Sequence, residues 1–188
     1  MSKTYLKFRG GCSVILGLKQ GEIKLVNPQV GWKDEFYKTQ KEINAATGID
    51  VECIEHVGST AIKDIKAKPM IDFAVGVEDI KNVPSYIFEK LKGIGFHRLR
   101  AVLENEIVIA RFTDDTFEIK THIIHLIDYQ GEKWNELISF RNALNSSEEL
   151  RKEYEGIKLS FIKNETGDMN DYTKYKEEFI LNVLNRNK

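Results

Sequence analysis

At 188 residues, with 28 Lys and Arg against 29 Asp and Glu, the chain can bury a substantial core, and its net charge of -1 sets up no overall field toward nucleic acid or anionic membrane. No apolar run is long enough to span a bilayer, and Val14-Ile15-Leu16 is too short for a secretory signal. Two cysteines, Cys12 and Cys53, make neither a disulfide framework nor a metal-ligand spacing, which leaves the cytoplasm as the expected compartment. Cys53 reads as a small core residue and Cys12 as a surface one.

In chain order, the Gly-rich and poorly patterned residues 1–20 read as a loose N-terminal arm with room for a short strand, ahead of a single domain over 21–188. Ile23 to Val26 reads as a brief strand stopped by Asn27-Pro28. The spacing Trp32, Phe36, Tyr37, Ile43 predicts an amphipathic helix ending near Gly48. Val51 to Val57 reads as a strand, followed by a turn capped by Ser59 or Thr60. Met70 to Val77 is a nearly continuous apolar run, as a central strand would be, with Asp72 inside it. Pro84 opens a helix through Leu91, closed by Gly93 and Gly95. Phe96 to Leu103, Glu106 to Thr113 and Phe117 to Ile127 read as three strands of an antiparallel meander. Residues 132–188 are helical, with stripes Trp134, Leu137, Ile138, Leu144 and Leu150, Tyr154, Ile157, Phe161. Ser146-Ser147-Glu148-Glu149 is a capping-box-like start, and Asp171 introduces a last helix bearing Tyr172, Lys176, Phe179 and Val183. The class is α+β.

The chemistry concentrates in Glu55-His56-Val57-Gly58-Ser59-Thr60-Ala61 and Lys66-Ala67-Lys68-Pro69-Met70-Ile71-Asp72. A Gly-Ser turn lets backbone approach a ligand closely and can cradle phosphate oxygens, so Gly58, Ser59 and Thr60 are the candidate phosphate cradle. Lys68 is the best placed of the nearby lysines to neutralise phosphate. Asp72, a carboxylate in an apolar strand, needs a partner: a divalent cation, or a salt bridge with Lys68 or an arginine. His125 shares a strand face with Thr121, Ile123 and Ile127. It would join Asp72 at a metal, or act alone as general base or phosphate donor. His56, Arg111, Arg141, Tyr172 and Lys176 are further cleft candidates, each with a plain alternative: a satisfied half-buried histidine, a solvated sheet face, or ion pairs between helices.

These residues also carry a resemblance. His56-Val57-Gly58-Ser59-Thr60-Ala61, Ala67-Lys68-Pro69-Met70-Ile71-Asp72, Thr121-His122-Ile123-Ile124-His125-Leu126, Phe140-Arg141, Tyr154, Lys158, and Tyr172 with Lys176 and Phe179 together resemble the GrpB family over about residues 16–184. The resemblance implies a nucleotidyltransferase-like mixed β-sheet with flanking helices and a C-terminal helical segment. In some relatives it implies fusion to dephospho-coenzyme A kinase. It implies no settled activity.

Nucleotidyltransferases place a Gly-Ser turn beside a strand with two carboxylates two residues apart, and a third on another strand, to hold two metal ions. Here Asp72 fits one position, but its same-face neighbours Met70 and Ala74 cannot bind magnesium. The expected function is therefore a nucleotidyltransferase-like protein binding a nucleotide or phosphorylated small molecule, with Mg²⁺ or Mn²⁺ as the candidate cofactor at Asp72 and His125. A non-catalytic nucleotide or metabolite sensor and a metal-dependent phosphohydrolase stay open beside it. Without interleaved basic and aromatic residues, no nucleic-acid partner is expected, and no membrane.

Overall fold

The computed structural model describes residues 5–7, 13–19, 21–100, 103–164 and 169–186. Three short strands come first, β1 (Tyr5–Lys7), β2 (Ser13–Ile15) and β3 (Leu18–Lys19), then helix α1 (Gly31–Thr47). β4 (Ile54–Val57), β5 (Ile71–Val77), α2 (Ser85–Gly93), β6 (Phe96–Arg98), β7 (Ile107–Phe112) and β8 (Ile119–Asp128) follow. The chain then turns helical in α3 (Glu132–Ser146), α4 (Glu148–Asn164) and α5 (Met169–Arg186).

The main sheet runs β4-β5-β8-β7-β6, with β3 continuing alongside β8 beyond the end of β5. β5 and β8 are parallel; the other pairings are antiparallel. The result is the expected mixed sheet of an α+β fold, with β6-β7-β8 as the meander. Period-two alternation sorts the side chains of β5 onto two faces. Phe73 and Val75, with Ile124 and Leu126 of β8, join the main core under α1 and α2. Ala74 and Ile127 face Trp134 of α3 on the other side. A third cluster, Ile62, Ile65, Leu144, Tyr154, Phe179 and Val183, ties α3, α4 and α5 to the segment before β5.

Local chemistry explains the boundaries. α1 buries Trp32, Phe36, Thr39, Ile43 and Thr47 at three- and four-residue spacing. It stops at Gly48, whose φ of 77° lets its N–H bond the Asn44 carbonyl at 2.8 Å. Ser147 accepts from the Leu150 N–H at 3.2 Å, which is the expected cap of α4.

Several expectations change. Part of the supposed loose arm is core: Val14, Leu16 and Leu18 are all buried, and Val14 fits against Gly31 so closely that a Cβ there would lie 2.0 Å from its Cγ2. Cys12 lies outside the described residues. Ile23 to Val26 forms only a bridge, Val26 to Ala67. Val51–Cys53 is a tight helical turn, so β4 starts at Ile54, and Cys53 is half-buried rather than core. β6 ends at Arg98.

Candidate functional site

Gly58 ends β4 with φ 69° and ψ -173°, a conformation that favours glycine. It is also a packing position. A Cβ on Gly58 would lie 2.2 Å from Asp72 Oδ2 and 2.8 Å from its Cγ, so the Asp72 carboxylate rests against the turn. Val57 pairs with Asp72 across the β4–β5 ladder, which fixes this juxtaposition. Ser59 exchanges a hydrogen bond with the Tyr154 phenol on α4, whose pKa is raised, first by burial. Gly58, Ser59 and Asp72 thus meet in space as expected.

Three lysines converge on the same spot. Lys68 Nζ lies 4.0 Å from the Tyr172 ring centroid and Lys176 Nζ 4.3 Å from it, so one ring receives two ammonium groups. Lys158 is 1% exposed; it sits 4.6 Å from the Tyr154 centroid and donates to the Lys66 carbonyl at 2.5 Å. Among the described residues, neither Lys158 nor Lys176 has a carboxylate within ion-pair distance. Burial first, then the Lys176 charge, pushes Lys68 down to about 7 against the pull of Asp72. The same two causes bring Lys158 to about 7, and burial brings Lys176 to about 8.

His125 stands on the other side of Asp72. It pairs with Ala74 of β5 and Val108 of β7, which puts it on the Asp72 face. Its Nε2 is 3.9 Å from Asp72 Oδ1 and its Nδ1 is 2.5 Å from Glu106 Oε1. Burial disfavours the imidazolium, but the hydrogen bonds and charges of Asp72 and Glu106 prevail and push His125 up to about 9. Burial likewise pushes the Glu106 pKa up, and the His125 hydrogen bond, the His125 charge and the Lys133 charge together more than reverse it. At neutral pH this is a protonated histidine clamped between two carboxylates.

The remaining candidates divide. Thr60 is 8% exposed, donates to the Met70 carbonyl at 3.1 Å and is bonded to His56 Nε2 at 3.0 Å, so its hydroxyl is committed to the fold rather than to a phosphate. His56 faces α1, stacked on Phe36 at 4.7 Å, and burial pushes it down to about 4. Arg141 holds Glu55 at 2.5 Å and the His56 carbonyl at 2.8 Å beside that histidine.

Arg111 is on the wrong face for the cleft. It pairs with His122, bonds Glu42 of α1 at 2.8 Å, and lies 4.4 Å from the Phe96 ring centroid. There it adjoins a buried pair in which His122 Nε2 lies 3.2 Å from Glu35 Oε1, with Glu35 Oε2 left unpartnered among the described residues.

Glu106 escaped the sequence reading, and a β-bulge explains why. Phe112 pairs with Lys120, yet Arg111 pairs with His122, so the register of β7 on β8 slips by one residue. Without the slip Glu106 would fall on the Leu126 side; with it, Glu106 comes to the His125 side.

The chain belongs to the GrpB family. A model of the GrpB protein family matches residues 22–186. The glutamate-rich protein GrpB of Alkalihalophilus pseudofirmus is 41% identical over 172 residues, 91% of this chain and 99% of that protein. A UPF0157 protein of Streptomyces coelicolor is 28% identical over 92% of this chain and 88% of its own length. The fold is that of the crystal structure of the conserved protein GrpB from Enterococcus faecalis: TM-score 0.71 over 85% of this chain and 94% of that one, at 22% identity. No helix among the described residues is long and apolar enough to cross a membrane.

Proposed function

We propose that the chain binds a nucleotide or another phosphorylated small molecule, with its phosphates against Ser59, Lys68 and Lys176 and its reacting group toward Asp72 and His125. The observation that carries this reading is the crowding of three half-buried or buried lysines, each with a lowered pKa, around Tyr172 and Tyr154 beside the Gly58–Ser59 turn. Gathering like charges away from water is unfavourable by itself. A polyanion reverses that cost, because every lysine it meets gains a charge-assisted hydrogen bond.

The transferase form of the reading draws on Asp72 and on Glu106. The two carboxylates lie on one sheet face from two strands, and they partly answer the missing partner at Met70 and Ala74. His125 between them suits general-acid work, such as protonating a leaving oxygen, since it holds a proton at neutral pH and has carboxylates on both nitrogens.

A divalent cation fits these residues only in part. Asp72 and His125 Nε2 would hold it, with Glu106 buttressing the other ring nitrogen, but the imidazole must first lose its proton. The described residues contain no group of three His, Cys, Asp or Glu side chains suited to a metal. Magnesium or manganese is therefore proposed as a companion of the phosphates, where it would neutralise their charge.

Thermal shift with ATP, pyrophosphate and coenzyme A intermediates, each with and without Mg²⁺ or Mn²⁺, tests the proposal. At least one phosphorylated ligand should raise Tm, and Lys176→Ala should abolish the rise. An unchanged shift in Lys176→Ala, or no shift from any of these ligands, would refute it. Release of pyrophosphate from ATP, lost in Asp72→Asn, would add the transferase activity; binding without turnover would make the protein a sensor.

A further inference from the structure

A groove of about 720 Å³ runs along the outer edge of the sheet between α1, β4 and α3, and none of Lys68, Lys158, Lys176, Asp72 or His125 lines it. Its aromatic side is Tyr37, exposed, over the buried Trp32 and Phe36; its polar side includes His56 and Arg141, with Lys33, Lys63 and Asp64 also in the lining.

Hydrogen-bond accounting fixes what those two residues can offer. Thr60 Oγ1 donates its single proton to the Met70 carbonyl, so toward His56 it can only accept. The neutral ring therefore carries its proton on Nε2, and Nδ1 is a bare lone pair with no protein partner among the described residues. Phe36 holds the ring flat against it, at an interplanar angle of 7°. The lowered pKa keeps His56 neutral at pH 7.

Arg141 spends Nη1 on Glu55 and the His56 carbonyl, and Nε on Asn142 at 3.1 Å. Its Nη2 has no partner among the described residues. His56 and Arg141, bonded neighbours in the lining, thus bring one unpartnered acceptor and one unpartnered donor to the groove. The Arg141 charge is already matched by Glu55, so Nη2 itself suits an uncharged acceptor.

We propose that this groove binds a planar nitrogen heterocycle through an amidine edge, an amino group beside a ring nitrogen, as adenine and cytosine present it. The amino group donates to His56 Nδ1, the ring nitrogen accepts from Arg141 Nη2, and the ring lies against Tyr37, the exposed aromatic of the lining. The site is separate from the phosphate cluster and is tested with ligands that carry no phosphate.

Calorimetric titration of the full chain with adenosine, cytidine, uridine and purine riboside is the test. Adenosine or cytidine should bind saturably. Purine riboside, which lacks the amino group, and uridine, which has a carbonyl in its place, should bind about fivefold or more weakly than their amino counterparts, the loss expected for one hydrogen bond. Arg141→Lys should weaken the amino nucleoside by a similar factor and leave pyrophosphate binding unchanged, whereas Lys176→Ala should do the reverse. In the wild-type protein, nitrogen-detected NMR should find His56 protonated on Nε2, with the Nδ1 resonance moving on nucleoside addition. Failure of both amino nucleosides to bind, equal binding of purine riboside and adenosine, indifference to Arg141→Lys, or a His56 protonated on Nδ1 would each overturn the proposal.

Discussion

At the residue scale, the decisive contact is that of Gly58 with Asp72. Any side chain at position 58 must both adopt φ 69° and occupy space held by the carboxylate. Gly58→Ala should therefore cost about 1–3 kcal/mol in urea unfolding, through strain plus displacement of Asp72. It should also weaken phosphate-ligand binding; a variant as stable as wild type would show that the turn and the acid do not press on each other. His125 makes the second prediction. Its pKa of about 9 lies above the ordinary 6.5, so its pairing with Asp72 and Glu106 stabilises fully below about pH 6.5 and is lost as pH rises through 9. Lys68 acts in the opposite direction, since its depressed pKa penalises folding most at low pH. The clean readout is the stability difference between wild type and Glu106→Gln. That difference should be on the order of 1–3 kcal/mol near pH 6.5 and shrink toward pH 9. A difference independent of pH over this range would contradict the clamp.

At the element scale, α5 delivers Tyr172 and Lys176 to the site because its apolar stripe packs on α3 and α4. Phe179 stacks on Tyr154 at 5.5 Å and meets Phe140 at 6.3 Å. Phe179→Ala should cost about 3–5 kcal/mol, and the lysines should return toward their ordinary pKa as α5 loosens. NMR titration of the Lys side chains checks this, and unchanged lysine titration would mean that α5 does not build the cluster. Such elements were legible in the sequence because their periods are strong. The α1 stripe, the apolar β5 run and the C-terminal stripes all fall close to where composition and spacing put them. The weak elements were not. Val14, Leu16 and Leu18 lie in a Gly-rich stretch whose burial depends on α1 and β8, which are distant in sequence. Local alternation also could not reveal the bulge between Arg111 and Phe112. That one slip decides that Glu106 reaches His125 and that Arg111 faces α1 instead.

At the scale of the whole molecule, one sheet separates three polar centres. The lysines, Asp72, His125 and Glu106 occupy the face toward the C-terminal helices. Glu35 and His122 are buried between α1 and the sheet with the half-buried Arg111 beside them, and His56 with Arg141 lines the outer groove. Sequence alone brought Gly58, Ser59, Lys68, Asp72 and His125 together correctly, since they lie on strongly patterned strands and the turn between them. It could not assign His56 and Thr60 to a different wall, because that depends on which face of β4 meets α1. The central claim is that the lysine cluster is an anion site whose charge is suppressed until a ligand arrives. Lys68 at about 7 and Lys176 at about 8 are partly deprotonated at pH 8, and a bound polyanion should restore their protons. The most direct measurement is calorimetric titration with pyrophosphate at pH 8 in two buffers of different ionisation enthalpy. Saturable binding with net proton uptake, diminished in Lys68→Ala, is the predicted result. Binding with no proton uptake, or no binding at all, would contradict it.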